Sequence, residues 1–256
     1  MIQLIFLGSG SAFSVGFGNF QSNMLLINEQ GKKLLLDCGS DIRFSLHEIG
    51  FSYLDITDIY ISHLHSDHAG GLEYIGLSGK FDPRCQKPKL YLSQEIATDI
   101  WDKTLSGGMG YIEGQNPELS DFFEVFPVQK NGYFSWENIK FHLLKNNHVD
   151  SGCCLMPSYG LFFELKGKKV FFSGDTKLCF DNWKDYYEEA DIIFHDCETS
   201  KIPTPVHAHY EQLVDLPEKI KNKMWLYGYQ QEGKDLSEAK KDGFLGFIQR
   251  GQVFAF

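Results

Sequence analysis

The side chains best suited to bind a metal ion lie in one short segment, Ile61-Ser62-His63-Leu64-His65-Ser66-Asp67-His68-Ala69-Gly70-Gly71. It follows an apolar run that is typical of a strand, and imidazole and carboxylate side chains are ligands that zinc prefers. At the end of a strand, His63 and His65 can point at one ion while Asp67 and His68 turn toward another. A solvated histidine-rich loop is the alternative, but the preceding strand and the following Gly-Gly favour a metal site.

The elements around this segment alternate between short strands and helices. Strands are predicted at Ile2–Leu7, at the hairpin Ser22–Asn28 with Lys32–Asp37, and at 58–62, 89–92, 122–128, 139–144, 158–165, 168–173, 191–195 and 224–227. Helices are predicted at about 41–49, 69–77, 95–105 and 210–220. No repeat or linker interrupts this order, so we expect one domain over residues 1–256, with two β-rich halves and helices outside.

Three stretches together resemble the metallo-β-lactamase superfamily, and within it the ribonuclease Z-like branch: Phe6-Leu7-Gly8-Ser9-Gly10-Ser11, Leu36-Asp37-Cys38-Gly39 and the histidine segment. The resemblance implies an α/β fold, the αββα sandwich of two mixed β-sheets with helices on the outer faces. It also implies a hydrolase that uses two zinc ions per chain. By the same resemblance, His63, His65 and His148 would hold one zinc, Asp67 and His68 the other, and Asp175 would lie between them.

The family pattern is broken at one position. Similar proteins tend to have Trp-Leu-Tyr-His-Tyr where this chain has Trp225-Leu226-Tyr227-Gly228-Tyr229, so Gly228 occupies the position of a departed histidine ligand. The second zinc site would then be weakened, and we expect reduced activity or partial metal occupancy. A replacement ligand such as His209 is one way in which the chain could compensate.

Proton transfer is assigned by resemblance to a histidine that opens a late helix, within Val206-His207-Ala208-His209-Tyr210. His209 is the first candidate, with Asp67 orienting the attacking water, and His207 is the rival and a candidate for substrate binding. The alternative for either histidine is a local capping or packing role. His195 is expected to support the site from behind, and His47 and His142 to take no part.

The segment from Trp101 through Leu105-Ser106-Gly107-Gly108-Met109-Gly110-Tyr111 looks like that of phage anti-Pycsar enzymes, which resemble ribonuclease Z but cleave cyclic nucleotides. Tyr111 could cap a nucleobase, across a homodimer interface, or the segment could be a surface loop without substrate contact. The function predicted first is therefore a phosphodiesterase for small substrates such as cyclic nucleotides. The alternatives are tRNA 3′-end processing and an impaired protein that binds metal or nucleotide without turnover.

Charge and cysteine content limit the partners. The formal net charge of −10 repels polyanions, so a small anionic phosphodiester is favoured over a nucleic acid. Six cysteines show no C-x-x-C spacing, so reduced thiols are expected. The sequence indicates neither a signal peptide nor a membrane anchor, which predicts a cytoplasmic protein without a membrane partner.

Overall fold

Two β-sheets form the centre of the protein, which is described by a computed structural model at residues 1–14, 18–230 and 236–256. Within these residues each sheet has seven strands. The first contains β1 (Gln3–Phe6), β2 (Met24–Ile27), β3 (Lys33–Leu36), β4 (Asp58–Ile61), β5 (Lys89–Ser93), β6 (Glu124–Val128) and β14 (Val253–Ala255). The second contains β7 (Tyr133–Trp136), β8 (Ile139–Lys145), β9 (Tyr159–Leu165), β10 (Lys168–Phe172), β11 (Ile192–Asp196), β12 (Met224–Tyr227) and β13 (Gly246–Phe247).

Both sheets are mixed. In the first, β14, β1, β2 and β3 pair antiparallel, whereas β3, β4, β5 and β6 pair parallel. In the second, β7 to β10 pair antiparallel and β10 to β13 pair parallel. The carboxyl ends of β8, β10, β11 and β12 therefore lie at one edge of the second sheet, where the loops that follow them can meet.

The helices are short. They are α1 (Ile42–Glu48), α2 (Ser66–Ala69), α3 (Leu72–Phe81), α4 (Gln94–Ile100), α5 (Ser106–Met109), α6 (Leu119–Phe122), α7 (Lys184–Glu189), α8 (Tyr210–Val214), α9 (Glu218–Lys221) and α10 (Glu238–Lys241). A π-helical turn at Trp101–Leu105 joins α4 to α5, and 3₁₀ turns cover Tyr53–Asp55 and Asp181–Trp183.

The predicted elements differ from these bounds for local reasons. The helix predicted at about 69–77 is two helices, because the chain turns at Gly70-Gly71 between α2 and α3. The helix predicted at 210–220 is also two, since Pro217 has an extended ψ of 138° and starts α9 anew. The short strands β7, β13 and β14 lie outside the predicted strands.

The two sheets face each other across an apolar core. Phe6 of the first sheet contacts Phe194 of the second, with ring centroids 5.1 Å apart. A second buried cluster, which includes Tyr187, Leu213 and Ile220, lies between β10 to β12 and the helices that cover them. This arrangement confirms the predicted sandwich of two mixed sheets with helices on the outer faces. Among the described helices, none is both long and apolar enough to cross a membrane.

Candidate metal centre

The candidate ligands come from three segments that follow strands of both sheets. His63, His65, Asp67 and His68 follow β4, His148 follows β8, and Asp175 follows β10. β4 is buried along its whole length, and β8 and β10 bury their inward-facing apolar residues, so these strands hold the segments that follow them in place. Residues that are more than eighty positions apart in sequence are thereby brought together.

Three imidazoles converge in the first group. Nε2 of His63 lies 3.0 Å from Nδ1 of His65. Nε2 of His148 lies 3.2 Å from the same Nδ1 atom. These three nitrogens lie within 4.8 Å of one another, which is the arrangement of a tridentate metal site.

A second group, which shares His63, forms around the carboxylate of Asp175. Nε2 of His68 lies 3.2 Å from Oδ2 of Asp175 and 3.0 Å from Oδ2 of Asp67. The same Oδ2 of Asp175 is 3.9 Å from Nε2 of His63. Asp175 therefore lies between the two groups, as the family resemblance implies for a bridging ligand.

Hydrogen bonds behind the imidazoles leave the converging nitrogens free to bind metal. Nδ1 of His148 donates to the carbonyl oxygen of Val206 at 2.9 Å, and Nδ1 of His68 bonds to Oδ2 of Asp37 at 2.7 Å. Nδ1 of His63 contacts the Ser62 hydroxyl at 3.0 Å. In each case the far nitrogen is occupied and the lone pair of Nε2 faces the group, so the donor set fits zinc.

The electrostatics of the two groups differ. Burial lowers the pKa of His63 well below its ordinary value, and burial together with His148 lowers the pKa of His65. Burial also opposes charge on His68, but the carboxylates of Asp175, Asp67 and Asp37 outweigh it and raise the pKa well above the ordinary value. Neutral imidazoles are the form that binds a cation, so the lowered pKa of His63 and of His65 favours binding, whereas His68 would have to lose its proton when a cation binds.

Asp37 is a functional residue that sequence reasoning did not assign. It accepts hydrogen bonds from the backbone N–H of Ser62 at 2.7 Å and from its hydroxyl at 2.8 Å, besides the contact with His68. Its φ of +63° is unusual for a residue other than glycine, and aspartate tolerates this region better than most. The available signal was a carboxylate at the end of β3, next to the strand that carries the histidines.

His207 lies beside the two groups and forms a third set of possible metal donors with His148 and Asp175. Its Nδ1 is 2.7 Å from Oδ2 of Asp196 and 4.0 Å from Oδ2 of Asp175, and its ring centroid is 5.0 Å from that of His148. Burial opposes its charge, but Asp196 outweighs burial and raises the pKa of His207 to about 10. Asp196, at the end of β11, was not assigned from sequence, although its position at a strand's carboxyl end was a signal.

His209 is placed differently. It is the N-cap residue of α8, where its Nδ1 accepts from the backbone N–H of Glu211 at 3.4 Å. Its Nε2 donates to the carbonyl oxygen of Ser200 at 3.0 Å. Both ring nitrogens therefore have local partners, and the structure brings His207, not His209, to the ligand groups. An N-cap followed three residues later by Gln212 is a capping-box pattern, which could have separated the two histidines.

The remaining predicted residues lie apart from the ligand groups. His195 is buried against the Tyr187 hydroxyl, at 2.6 Å from Nε2. Tyr111 is 87% exposed, just after α5. His47 is exposed on α1, and His142 stacks near Tyr133.

Gly228 follows β12 directly and has a φ of +77°. A Cβ added there would lie 2.9 Å from Oδ1 of Asp196, whose other carboxylate oxygen lies 2.7 Å from Nδ1 of His207. A histidine at this position would also carry backbone strain. Gly228, the position of the departed histidine ligand, is therefore next to Asp196 and close to the candidate metal centre.

A cavity of about 430 Å³ is lined by chain neighbours of the candidate ligands, but by none of the ligands themselves. Leu64, between His63 and His65, and Val149, next to His148, line it. Further lining residues are Ile96, Lys103, Cys154 and Met156.

Known proteins similar to this chain identify its family. The family model described as Anti-Pycsar protein Apyc1 matches residues 2–254. An Anti-Pycsar protein Apyc1 of Bacillus phage vB_BveM-Goe7 is 33% identical over 263 residues, covering 98% of this chain and 96% of the relative. One of Paenibacillus harenae is 33% identical over 230 residues, covering 87% and 88%.

Among solved structures, the metallo-β-lactamase fold protein YhfI from Bacillus subtilis is similar, with a TM-score of 0.75 at 15% identity and full coverage of both chains. At this identity the likeness concerns the fold. The match of the family model to nearly the whole sequence goes further: the chain belongs to the Anti-Pycsar protein Apyc1 family.

Proposed function

We propose that this protein is a zinc-dependent phosphodiesterase that hydrolyses small cyclic nucleotides. The observation that carries the proposal is the pair of donor groups that meet at Oδ2 of Asp175. Two adjacent cation sites of this kind suit the hydrolysis of phosphate esters, because they can hold both the attacking and the leaving oxygen.

The residues divide between the sites as the family resemblance implies. His63, His65 and His148 would hold one zinc, and Asp67 and His68 the second, with Asp175 shared. When bound, the metals would activate a water at neutral pH and neutralise the phosphoryl oxygens. Gly228 supplies no donor, so we propose that the second site binds zinc more weakly and that activity is reduced.

The protein's own side chains orient the water and move the proton. Asp67 would share the second zinc with His68, whose Nε2 lies 3.0 Å from its Oδ2, and its carboxylate still has capacity to hold an attacking water by a hydrogen bond. His207 is held by Asp196, and we propose that it gives a proton to the leaving oxygen. The role first assigned to His209 is thereby moved to His207, because both nitrogens of His209 have local partners.

The net charge of the protein and the volume of its cavity both favour a small substrate. The net charge of −10 disfavours long nucleic acids, whereas the cavity beside Leu64 and Val149 is large enough for a mononucleotide. The names of the family's members support a substrate of cyclic-nucleotide signalling. We further propose that Tyr111 contacts a substrate across a homodimer, since its exposed ring has room for a partner.

A substrate panel tests the proposal. Zinc-loaded protein would be incubated with cyclic mononucleotides, bis(p-nitrophenyl) phosphate and precursor tRNA, with an Asp175→Asn variant as the matched control. We expect turnover of cyclic mononucleotides by the wild type alone. Cleavage of precursor tRNA instead, or binding of nucleotide without turnover, would contradict the proposal.

A further inference from the structure

Two adjacent cysteines, Cys153 and Cys154, lie in the loop between β8 and β9. Both side chains are exposed, and their sulfur atoms are 3.7 Å apart. The metal centre does not use them. Exposed neighbouring thiols of this kind are a chemically reactive pair.

The loop that carries them is held in a defined shape. Asp150 and Leu155 form an antiparallel bridge, and the backbone N–H of Ser151 donates to the carbonyl oxygen of Cys154 at 3.1 Å. Gly152 turns the chain at a φ of +84°, and its N–H donates to Oδ1 of Asp150 at 2.8 Å. The two sulfurs are thus kept on the same side of a tight turn.

Ser151 lies against both sulfurs. Its hydroxyl is 3.2 Å from Sγ of Cys153 and 3.4 Å from Sγ of Cys154. Hydrogen bonding by the Ser151 side chain, followed by that of Cys154, lowers the pKa of Cys153. Cys153 is therefore the better candidate for the attacking thiolate.

We propose that Cys153 and Cys154 form a reversible thiol–disulfide exchange site that reacts with low-molecular-weight disulfides. The Cys153 thiolate attacks one sulfur of the small disulfide, forming a mixed disulfide and releasing one thiolate. The Cys154 thiolate then attacks Sγ of Cys153 and releases the second thiolate. Two protein thiols are oxidised, one small disulfide is reduced to two thiols, and the two protons remain with the products.

Reversibility follows from the spacing of the two residues. Consecutive Cα atoms lie about 3.8 Å apart, whereas most disulfides join Cα atoms about 5.5 Å apart. A bond between neighbours is therefore strained, which makes it easy to reduce again.

One of the two cysteines also lines the cavity described above. Cys154 lines the same cavity as Leu64 and Val149, which are chain neighbours of His63, His65 and His148. Oxidation would change the wall of this cavity. The inference itself rests on the thiols and does not depend on the proposed function.

Peptide mass spectrometry gives a direct test on the full-length, zinc-loaded protein. Trypsin should release residues 146–166 as one peptide, because Lys145 and Lys166 bound a stretch without Lys or Arg that contains only these two cysteines. After treatment with oxidised glutathione, we expect this peptide to lose the mass of two hydrogen atoms and to regain it with dithiothreitol. The peptide 178–184, which holds Cys179, is the internal control and should not form a disulfide within itself.

Two variants test the order of the steps. Cys154→Ser should stop at a stable glutathione adduct on Cys153, and Cys153→Ser should react severalfold more slowly. The proposal is overturned if the wild-type peptide stays reduced, keeps glutathione without resolving it, or forms only links between chains. These readouts need no substrate, so they are independent of the phosphodiesterase assay.

Discussion

At the scale of single residues, three imidazoles of the candidate metal centre have a far nitrogen that is fixed by a partner. Val206, Asp37 and Ser62 occupy Nδ1 of His148, His68 and His63 respectively. These partners determine which nitrogen carries the lone pair, and therefore where a cation can bind. Substituting these hydrogen-bond partners is therefore a test of metal binding, as is substituting the ligands themselves.

Asp37→Asn tests the support of His68. Asparagine keeps the side-chain shape and tolerates a φ of +63°, but it removes the charge from the His68 contact. We expect a loss of metal affinity of about 10- to 100-fold at the second site. Chelator competition with a zinc indicator measures this, and unchanged affinity would show that the Asp37 charge does not tune His68.

The two helix-opening histidines can be separated by paired variants. His207→Ala should lower kcat by about 10²- to 10⁴-fold, because the Asp196-held proton donor is removed. His209→Ser should retain the rate and the stability, since serine is itself a favoured N-cap. The measurement is kcat on a cyclic mononucleotide for both variants. A large loss in His209→Ser with none in His207→Ala would show that His209 is the proton donor.

The buried imidazole of His195 should make the free energy of unfolding depend on pH in the acid range. Burial lowers its pKa to about 4, from the ordinary value of 6.5. Between these pH values the unfolded chain binds more protons than the folded one, so stability falls as pH falls from about 6.5 to about 4, by on the order of 3 kcal/mol. Below about 4 both states are protonated and the loss is complete.

His195→Asn should flatten this part of the pH profile. Urea unfolding of chelator-treated wild type and variant, measured at several pH values, gives the two slopes. Equal slopes would show that His195 does not remain neutral in the fold.

At the scale of elements, strand ends position the chemistry. Gly228 at the end of β12 donates its N–H to the carbonyl oxygen of Ser9 at 2.9 Å, which ties the opening loop of the first sheet to the second. Its positive φ and the close approach of Asp196 explain why glycine is accommodated there. Both the backbone conformation at Gly228 and the nearby Asp196 side chain therefore favour glycine over histidine at this position.

Gly228→His should have two opposing effects. The backbone strain should lower the stability of the metal-free protein by about 1–3 kcal/mol, while the added imidazole should raise zinc occupancy of the second site and the rate. Gly228→Ala is the matched control, because it carries the strain without the donor. If zinc per chain and rate are unchanged by the histidine, the position is not a ligand site.

At the scale of the whole molecule, the candidate metal centre takes its residues from both halves of the fold. Its donors follow β4 in one sheet and β8 and β10 in the other, so they converge only in the folded state. A ligand that binds the native state alone stabilises it by mass action. Zinc should accordingly behave as a link between the two sheets.

Zinc at a hundredfold excess over its Kd should raise the free energy of unfolding by about 2.7 kcal/mol. Denaturant unfolding with zinc and with chelator measures the difference, and Asp175→Asn, which removes the shared carboxylate charge, should show a smaller one. Identical transitions with and without metal would indicate that the native state binds no zinc.

The sequence by itself determined most of the strands and the two β-rich halves, since short apolar runs such as Met24–Ile27 and Lys33–Leu36 indicate strands locally. The sandwich of two sheets came from the family resemblance. The sequence also placed the histidine segment at the end of β4, because ligand spacing within six residues is a local property. The grouping of His148 and Asp175 with this segment came only from family resemblance.

Tertiary structure decided what depends on contacts between distant segments. It placed Asp37 behind His68, and His207 rather than His209 beside Asp175, because the direction of each side chain is set by partners far away in the chain. It also placed Asp196 in front of Gly228. Spacing along one chain carries no information on such directions until the sheets pack together.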